Sequence, residues 1–451
     1  MRKLFGTDGI RGVAGIAPLD NATVFAVGAA LASALKQVHP VPRVVLGMDT
    51  RESGPGIAGI LYAGLSAGGA TLANAGIITT PAIAYLTRKF GFSAGIVVSA
   101  SHNPWQDNGI KIFGFDGYKL PDALELAIEA GIFAQLAAST ASIPSLATPE
   151  LPAVDSLYRT DYETFLLAAV PGLTLNGMRI VLDCANGAAS AIAPELFATL
   201  GGTVELTHAS PNGRNINETC GALHPEVVAR ETRERGAQLG ITLDGDADRC
   251  LFADSAGKVI NGDAILLIVG RELQRAGMLP GNVVVGTTMS NMGLEAALQR
   301  DGIRVLRAPV GDKYVLEMMQ KQGAALGGEQ SGHILFPHLA TTGDGLLTSL
   351  VLLDILRRTG KSVEELTADL KTFPQVIVNV RVREKRPLES IASVTSAIAD
   401  AEAELASTGR VVIRYSGTEA LARVMIEAES EERMRWHAEQ IAAAIRAELG
   451  T

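Results

Sequence analysis

The chain has 451 residues, is 47% hydrophobic and 19% charged, and carries a formal net charge of -9. That length exceeds what one hydrophobic core organises and calls for about three or four domains. The apolar content excludes a disordered chain, and the acidic balance leaves no general basic field to hold DNA or RNA.

At the start, Met1-Arg2-Lys3-Leu4-Phe5 gives way to Gly6-Thr7-Asp8 before any apolar signal core develops. No later stretch reaches the ~18 apolar residues of a membrane span, so the expectation is a soluble, cytoplasmic protein without a membrane partner. Val44-Val45-Leu46-Gly47-Met48 predicts a strand, Ile57 to Ala67 a helix, and Thr80-Pro81 a helix start that ends before Gly91. Ala94-Gly95-Ile96-Val97-Val98 then leads, strand-like, into Ser99-Ala100-Ser101-His102-Asn103-Pro104. The residue before a proline is pushed out of helical geometry, so a hydroxyl is presented where a strand ends. Ligands of open α/β sheets collect outside the carboxyl ends of strands, which makes Ser101 a candidate nucleophile, although the same cluster is also ordinary turn chemistry. Lys111-Ile112-Phe113 and Tyr118-Lys119-Leu120 flank Phe115-Asp116-Gly117 and predict a hairpin. A long Ala/Leu-rich helix follows, and Ala137 to Pro152 reads as a connector.

A second unit opens with the strand Arg179 to Asp183, turns at Asn186-Gly187 and continues as helix, strand and helix; a third contains the strand Val283 to Thr287. Together with Val44 to Asp49 they suggest a recurring apolar strand, polar turn, glycine and helix, a pattern that chance similarity also produces. From Phe373 the pattern changes: Gln375 to Val382 alternates, and Arg410 to Arg414, Ala422 to Ile426 and a final helix from Glu431 follow, as in a smaller α+β module with an antiparallel sheet. Cys184, Cys220 and Cys250 are odd in number, widely spaced and outside any C-x-x-C, which argues against a disulfide framework or a zinc site and suits small buried residues.

Three clusters carry candidate chemistry. Asp244, Asp246 and Asp248 alternate directly after the short strand Ile241 to Leu243, so their oxygens share a face and can converge on one hard cation. An EF-hand is excluded because Arg249 and Ser255 stand where glycine and glutamate are needed, and magnesium, which takes few carboxylates, fits better than calcium. Gly327-Gly328-Glu329-Gln330-Ser331-Gly332-His333 suits the ringing of a sugar with hydrogen bonds, and equally a surface turn. Arg414-Tyr415-Ser416-Gly417-Thr418, with Arg423, supplies what a phosphate needs, and a plain hairpin turn competes with that reading. A Ser/His hydrolase is the weaker inference, because adjacent extended residues point to opposite sides, leaving His102 poorly placed for Ser101, and no G-x-S-x-G surrounds the serine.

Taken in order, Phe5-Gly6-Thr7-Asp8-Gly9-Ile10-Arg11-Gly12, Ser99 to Pro104, Asp244 to Arg249, Gly328 to His333 and Arg414 to Glu419 resemble the motifs of the α-D-phosphohexomutases over essentially the whole chain. The Gln330 form of the sugar loop and Thr341-Thr342-Gly343-Asp344-Gly345 resemble the branch acting on glucosamine phosphates more than those acting on mannose or glucose phosphates. The resemblance implies three related α/β domains with mixed sheets plus a smaller C-terminal α+β domain around a central cleft, placed at residues 1–152, 153–253, 254–370 and 371–451. It implies an intramolecular phosphotransferase with Ser101 as phosphoserine, Mg2+ held by Asp244, Asp246 and Asp248 with the phosphate on Ser101, and a glucosamine 1,6-bisphosphate intermediate and activator. Glu329 and Ser331 would bind sugar hydroxyls, and Arg414, Ser416, Gly417, Thr418 and Arg423 the phosphate not being transferred. Arg11, Lys111 and His333 match positions associated with the reacting phosphate and proton transfer. The implied partner is a small sugar phosphate, with no nucleic acid and a homodimer as a further expectation; the implied role is in UDP-N-acetylglucosamine and cell-wall precursor synthesis. Tyr415, Ala420 and Lys313 depart from the family pattern, which bears on the phosphate loop and fine specificity.

Overall fold

The computed structural model describes residues 3–6, 8–138, 150–416 and 420–450. Most of the expected connector thus lies outside the described residues, as do Thr7, Gly417, Thr418 and Glu419.

The first unit runs β1 (Ile10–Val13), α1 (Asn21–Lys36), β2 (Arg43–Met48), α2 (Gly54–Ala67), β3 (Thr71–Ile77), α3 (Thr80–Lys89), β4 (Ala94–Val98), β5 (Asp107–Gly114) and α4 (Asp122–Ala138). α2 starts at Gly54-Pro55, ahead of the expected Ile57, because proline is tolerated in the first turn where its missing N–H has no partner to lose. The predicted hairpin turn after β5 forms and is short: Gly117 N–H donates to Gly114 O, Gly114 N–H donates to Tyr118 O, and a single antiparallel bridge pairs Phe113 with Lys119. The Lys119 side chain reaches from this turn into the site described below.

The second unit holds α5 (Leu157–Ala168), β6 (Arg179–Asp183), α6 (Ala193–Thr199), β7 (Thr203–Thr207), α7 (Pro225–Glu234), β8 (Leu239–Leu243), β9 (Cys250–Ala253) and β10 (Val259–Ile260). Because β10 pairs with β9, the second sheet runs past the limit placed at residue 253, which falls at a hairpin closed by Asp254 and Gly257. The third unit holds α8 (Gly262–Arg275), β11 (Val283–Thr287), α9 (Met292–Arg300), β12 (Arg304–Ala308), α10 (Asp312–Gln322), β13 (Gly327–Gly328), β14 (Ile334–Leu335), α11 (Gly345–Thr359) and α12 (Val363–Leu366).

The recurrence suspected in the sequence is a recurrence of topology. The three sheets contain the orders β5-β4-β2-β3, β9-β8-β6-β7 and β14-β13-β11-β12, each with two parallel pairings to a central strand and one antiparallel edge. The turn after each central strand repeats too. A side-chain oxygen on Asp49, Asp183 and Thr287 accepts the N–H two residues on, from Arg51 at 3.0 Å, Ala185 at 2.8 Å and Met289 at 3.1 Å. Such local bonds stop the strand and turn the chain outward. One apolar core runs without a break from Val45 and Phe92 through Ile180 and Phe252 to Leu350, so the three units are fused.

The C-terminal unit is built differently. β15 (Gln375–Arg381), α13 (Ala392–Leu405), β16 (Gly409–Tyr415), β17 (Leu421–Ala428) and α14 (Glu431–Leu449) form an antiparallel β15-β17-β16 sheet backed by two helices, with a core of their own. Its joint to the third unit is polar. Arg410 donates to the carbonyls of Thr288 and Ser290, while buried Glu427 accepts the Met292 N–H at 2.8 Å and pairs with Arg410. No helix among the described residues is long and apolar enough to cross a membrane.

Candidate active site

β4 is buried along its length and delivers Ser101 in a left-handed conformation, φ 53°, that a non-glycine residue adopts only when its surroundings impose it. The imposing groups are visible. Ser101 N–H donates to Ser99 Oγ at 2.9 Å, and that hydroxyl donates to Asp49 Oδ2 at 2.6 Å. Arg51, buried whole, pairs with Asp49 at 2.9 Å and donates to the carbonyls of Ser101 at 3.0 Å, Asn103 at 2.8 Å and Pro104. From the second unit Asn217 Nδ2 reaches the same two carbonyls of Ser101 and Asn103, at 2.9 and 3.0 Å. Asn103-Pro104 therefore does not fix the turn alone; a buried guanidinium and an amide from another unit hold its carbonyls.

The left-handed twist also overturns the expectation about His102. Ser101 Oγ lies 3.3 Å from His102 Nδ1, since the two residues are not on an extended chain. Burial, with Arg249 and Arg11 nearby, pushes the imidazole down to about 4, so it is a feeble base at neutral pH. Ser101 instead donates its hydroxyl proton to Asp244 Oδ2 at 2.6 Å, across the boundary between the first two units.

Asp244, Asp246 and Asp248 follow β8 and are buried, with carboxylate oxygens all within 4.8 Å of one another. Gly245 permits this, because a Cβ there would stand 2.6 Å from Ser101 O. Burial, and then the charges of Asp248 and Asp246, push the Asp244 carboxyl well above its ordinary range. Asp246 Oδ1 and Asp248 Oδ1 are buried without a hydrogen-bond partner among the described residues. Buried carboxylate oxygens of this kind want a counter-charge. Three convergent hard-oxygen donors, two of them orphaned, fit a small divalent cation such as magnesium.

The other oxygens of Asp246 and Asp248 face Lys111, while those of Asp244 accept the Ser101 hydroxyl and the Arg249 N–H. Lys111, buried on β5, approaches Asp246 at 2.7 Å, Asp248 at 3.3 Å and Asp8 at 3.0 Å. Arg11 pairs with Asp8 at 2.5 Å and reaches Ala100 O at 3.4 Å. Burial would raise the Asp8 carboxyl, but Lys111, Lys119 and Arg11 outweigh it and hold it well below the usual range. Lys119 bridges Asp8 and Asp312, each at 2.6 Å, which ties the first unit to the third. His333 sits between Asp248 and Asp312, at 3.7 and 3.6 Å, and packs so closely on Gly343 that a Cβ there would meet its ring at 2.5 Å.

These side chains border a cleft of ≈ 420 Å³ walled by all three fused units, with Arg11, His102, Asp248, Arg249, Glu329 and His333 among its lining. Within the loop expected to bind a sugar, Glu329 Oε1 accepts the Gly311 N–H at 2.9 Å, Ser331 is exposed beside it at 3.4 Å, and Gln330 is anchored to Asp263 at 3.1 Å. The C-terminal candidates stand apart. Arg414 and Arg423 are cross-strand partners, and Arg423 reaches Ser416 Oγ at 3.5 Å, but no described residue of that unit lines the cleft. Gly417 and Thr418 lie outside the described residues. Tyr415, one of the departures, donates its hydroxyl to Arg386 O at 2.5 Å, and Lys385 Nζ donates to Ser416 O at 2.6 Å, so the turn is braced by the neighbouring loop.

Sequence reasoning missed Asp49, Arg51, Asn217, Lys119 and Asp312 as parts of the site. Asp49 had a weak signal, as the polar residue closing a recurring strand; Arg51 and Asn217 had none, since their partners are far away in the chain.

The class follows from models of known families. The phosphoglucomutase/phosphomannomutase family matches through its alpha/beta/alpha domain I at residues 2–138, domain II at 162–257, domain III at 261–373 and the C-terminal domain at 377–444. The chain belongs to this family. It is 57% identical to the phosphoglucosamine mutase of Koribacter versatilis, over 100% of this chain and 98% of that one, and 50% identical to that of Solibacter usitatus, over 100% and 99%. Among solved structures, a family protein from Burkholderia thailandensis superposes with a TM-score of 0.80 at 24% identity, covering 100% of both chains. The Aspergillus fumigatus N-acetylphosphoglucosamine mutase, solved with GlcNAc-6P and magnesium, gives 0.66 at 19%, covering 99% of this chain and 96% of that one. Both share this fold.

Proposed function

We infer that the chain is a mutase interconverting glucosamine 6-phosphate and glucosamine 1-phosphate through phospho-Ser101. The observation that carries the reading is Ser101 Oγ, 2.6 Å from Asp244, at the mouth of a buried acidic triad with two unsatisfied oxygens. The names of the full-length relatives supply the amino sugar.

In the first half-reaction the phosphorus–Oγ bond of phospho-Ser101 breaks as the free hydroxyl of the sugar phosphate bonds to phosphorus, the hydroxyl proton passing to the enzyme. The resulting glucosamine 1,6-bisphosphate turns round, and its other phosphoryl group returns to Ser101 as the second sugar oxygen takes a proton. Phosphoryl transfer asks for positioning and charge neutralisation more than covalent help. Lys111 and Arg11 supply fixed positive charge beside Ser101, and His333, between Asp248 and Asp312, is the group suited to move the proton. Asp244, Asp246 and Asp248 would hold Mg2+, which when bound supplies further positive charge to a phosphoryl oxygen. Glu329 and Ser331 hold ring hydroxyls in either orientation, while Arg414, Ser416, Gly417, Thr418 and Arg423 grip the phosphate at rest.

The same reading places the reaction in the cytoplasm, feeding UDP-N-acetylglucosamine and cell-wall precursors, in a homodimer that covers exposed apolar side chains such as Val38 and Phe115. Light scattering in solution checks the dimer. The reaction is tested by a coupled assay with glucosamine 6-phosphate, Mg2+ and catalytic bisphosphate, with mannose and glucose phosphates alongside. Preference for either of those sugars would make the chain a phosphomannomutase or phosphoglucomutase, and substantial turnover by Ser101→Ala would refute the phosphoserine route.

A further inference from the structure

We propose that Asp312 is the carboxylate that receives the protonated 2-amino group of the sugar, and so sets the preference for an amino sugar over its hydroxyl analogue. The inference rests on the mutase reading above and deepens it.

An ammonium group in a cleft needs a carboxylate oxygen that is not already committed. Four acids line the cleft: Asp8, Asp248, Asp312 and Glu329. Asp248 belongs to the acidic triad. Asp8 is enclosed by Arg11, Lys111 and Lys119, all within 3.0 Å. Glu329 gives one oxygen to the Gly311 N–H and the other to Ser331. Asp312 gives Oδ2 to Lys119, its side chain keeps 18% exposure, and its Oδ1 takes no hydrogen bond from any described residue.

Position supports the choice. Gly311 adopts φ 129°, a conformation L side chains rarely take, so its own N–H turns to Glu329 while the next residue opens α10 with its carboxylate at the cleft. Asp312 and the hydroxyl-binding Glu329 are thereby joined at one edge. C2 adjoins the hydroxyl-bearing carbons of the ring, so in one of the two orientations that Glu329 holds, the one proposed for glucosamine 6-phosphate, the C2 substituent lies at that edge. The charges facing Asp312 agree: Lys119 is shared between Asp312 and Asp8, so one cation serves two carboxylates, and His333 stands 3.6 Å away on the other side. Arg249 and Arg11, also in the lining, are drawn towards Asp248 and Asp8. A second cation is accommodated where Asp312 remains half-served.

The test compares glucosamine 6-phosphate with glucose 6-phosphate, which differ only at C2, in the full-length enzyme and in Asp312→Asn. Losing a charge-assisted hydrogen bond should lower the ratio of kcat/KM for glucosamine 6-phosphate to that for glucose 6-phosphate about 10- to 100-fold, whatever loss the two share through Lys119 and His333. Equal losses on both substrates would mean that Asp312 only anchors Lys119 or the start of α10, and would overturn the inference. Should Asp312→Asn fail to fold, calorimetric binding of the two sugars to Ser101→Ala between pH 6.5 and 9 decides: affinity for the amino sugar must fall as its ammonium deprotonates, while that for glucose 6-phosphate stays flat, and parallel curves refute the proposal. A wild-type enzyme without preference for glucosamine 6-phosphate would defeat the mutase assignment itself. A preference retained in Asp312→Asn would defeat only this inference.

Discussion

The three fused units and the C-terminal unit solve opposite problems. In the fused body one apolar core is continuous, and polar and charged side chains of separate units meet within the body at hydrogen-bonding distance, as Lys111 does with Asp246 and the Tyr162 hydroxyl with Asp344. Moving one partner of such a pair away strands a buried charge. The C-terminal unit keeps its own core and meets the third unit through Arg410, Glu427 and Asn291, while its arginine pair, Arg414 and Arg423, lies outside the cleft lining. Under the proposed function, rigid burial suits the group that places the phosphoryl carrier, and a separately built unit suits one that holds only the far phosphate.

Breaking the rigid side should have the largest effect. Asp246→Asn and Ser101→Ala are each expected to lower kcat by about 10³-fold or more. Addition of Mg2+ should raise the melting temperature of the wild type, by relieving repulsion among Asp244, Asp246 and Asp248, but not that of Asp246→Asn; both are read by steady-state kinetics and thermal shift.

Cutting the polar joint comes next. Arg410→Met leaves Glu427, wholly buried, without its ion-pair partner, which costs about 3–5 kcal/mol. Hydrogen exchange should show the loss in β16 and β17 while the strands of the fused body keep their protection. Loss of protection throughout would erase the distinction between the two regions.

A pH experiment probes the fused core. Burial raises Asp344 to about 6 against an unfolded value of 3.8, despite donors from the Leu347 N–H and the Tyr162 hydroxyl. The native state therefore binds the proton more tightly, and this group's contribution falls as pH rises from about 4 to 6, by roughly 3 kcal/mol. Asp344→Asn should flatten that slope relative to wild type in denaturant titrations at several pH values; an unchanged slope would remove Asp344 as its source.

The smallest effect is expected at the grip. Arg414→Ala should raise KM about 10- to 100-fold, with kcat falling much less, because a charge-assisted bond to an untransferred phosphate acts in ground and transition states alike. If kcat collapses as in Asp246→Asn, the resting phosphate is not what Arg414 holds.

Much of this was legible in the chain. The strand leading to Ser101, the alternating aspartates after β8 and the change of pattern after Phe373 were all readable, because local periodicity and turn chemistry are written in neighbouring residues. His102 was misjudged because the left-handed backbone at Ser101 is imposed by Arg51 and Asn217, which no local pattern announces. The hairpin turn after β5 was legible as well, but not that the Lys119 side chain on its return arm bridges Asp8 and Asp312, since those partners come from distant parts of the chain.

The sequence by itself determined the residue types on each loop, and hence a hydroxyl after β4, three alternating carboxylates, and the loops proposed to face a sugar and a phosphate. Only the tertiary structure decided which of them converge. Ser101 and Asp244 are 143 residues apart, Lys111 and Asp246 are 135 apart, and their meeting at 2.6 and 2.7 Å follows from three like sheets packed on one core. Side-chain spacing along a strand is fixed by backbone geometry, but the distance between loops is fixed by how whole sheets pack, to which every buried apolar residue contributes and no single motif does.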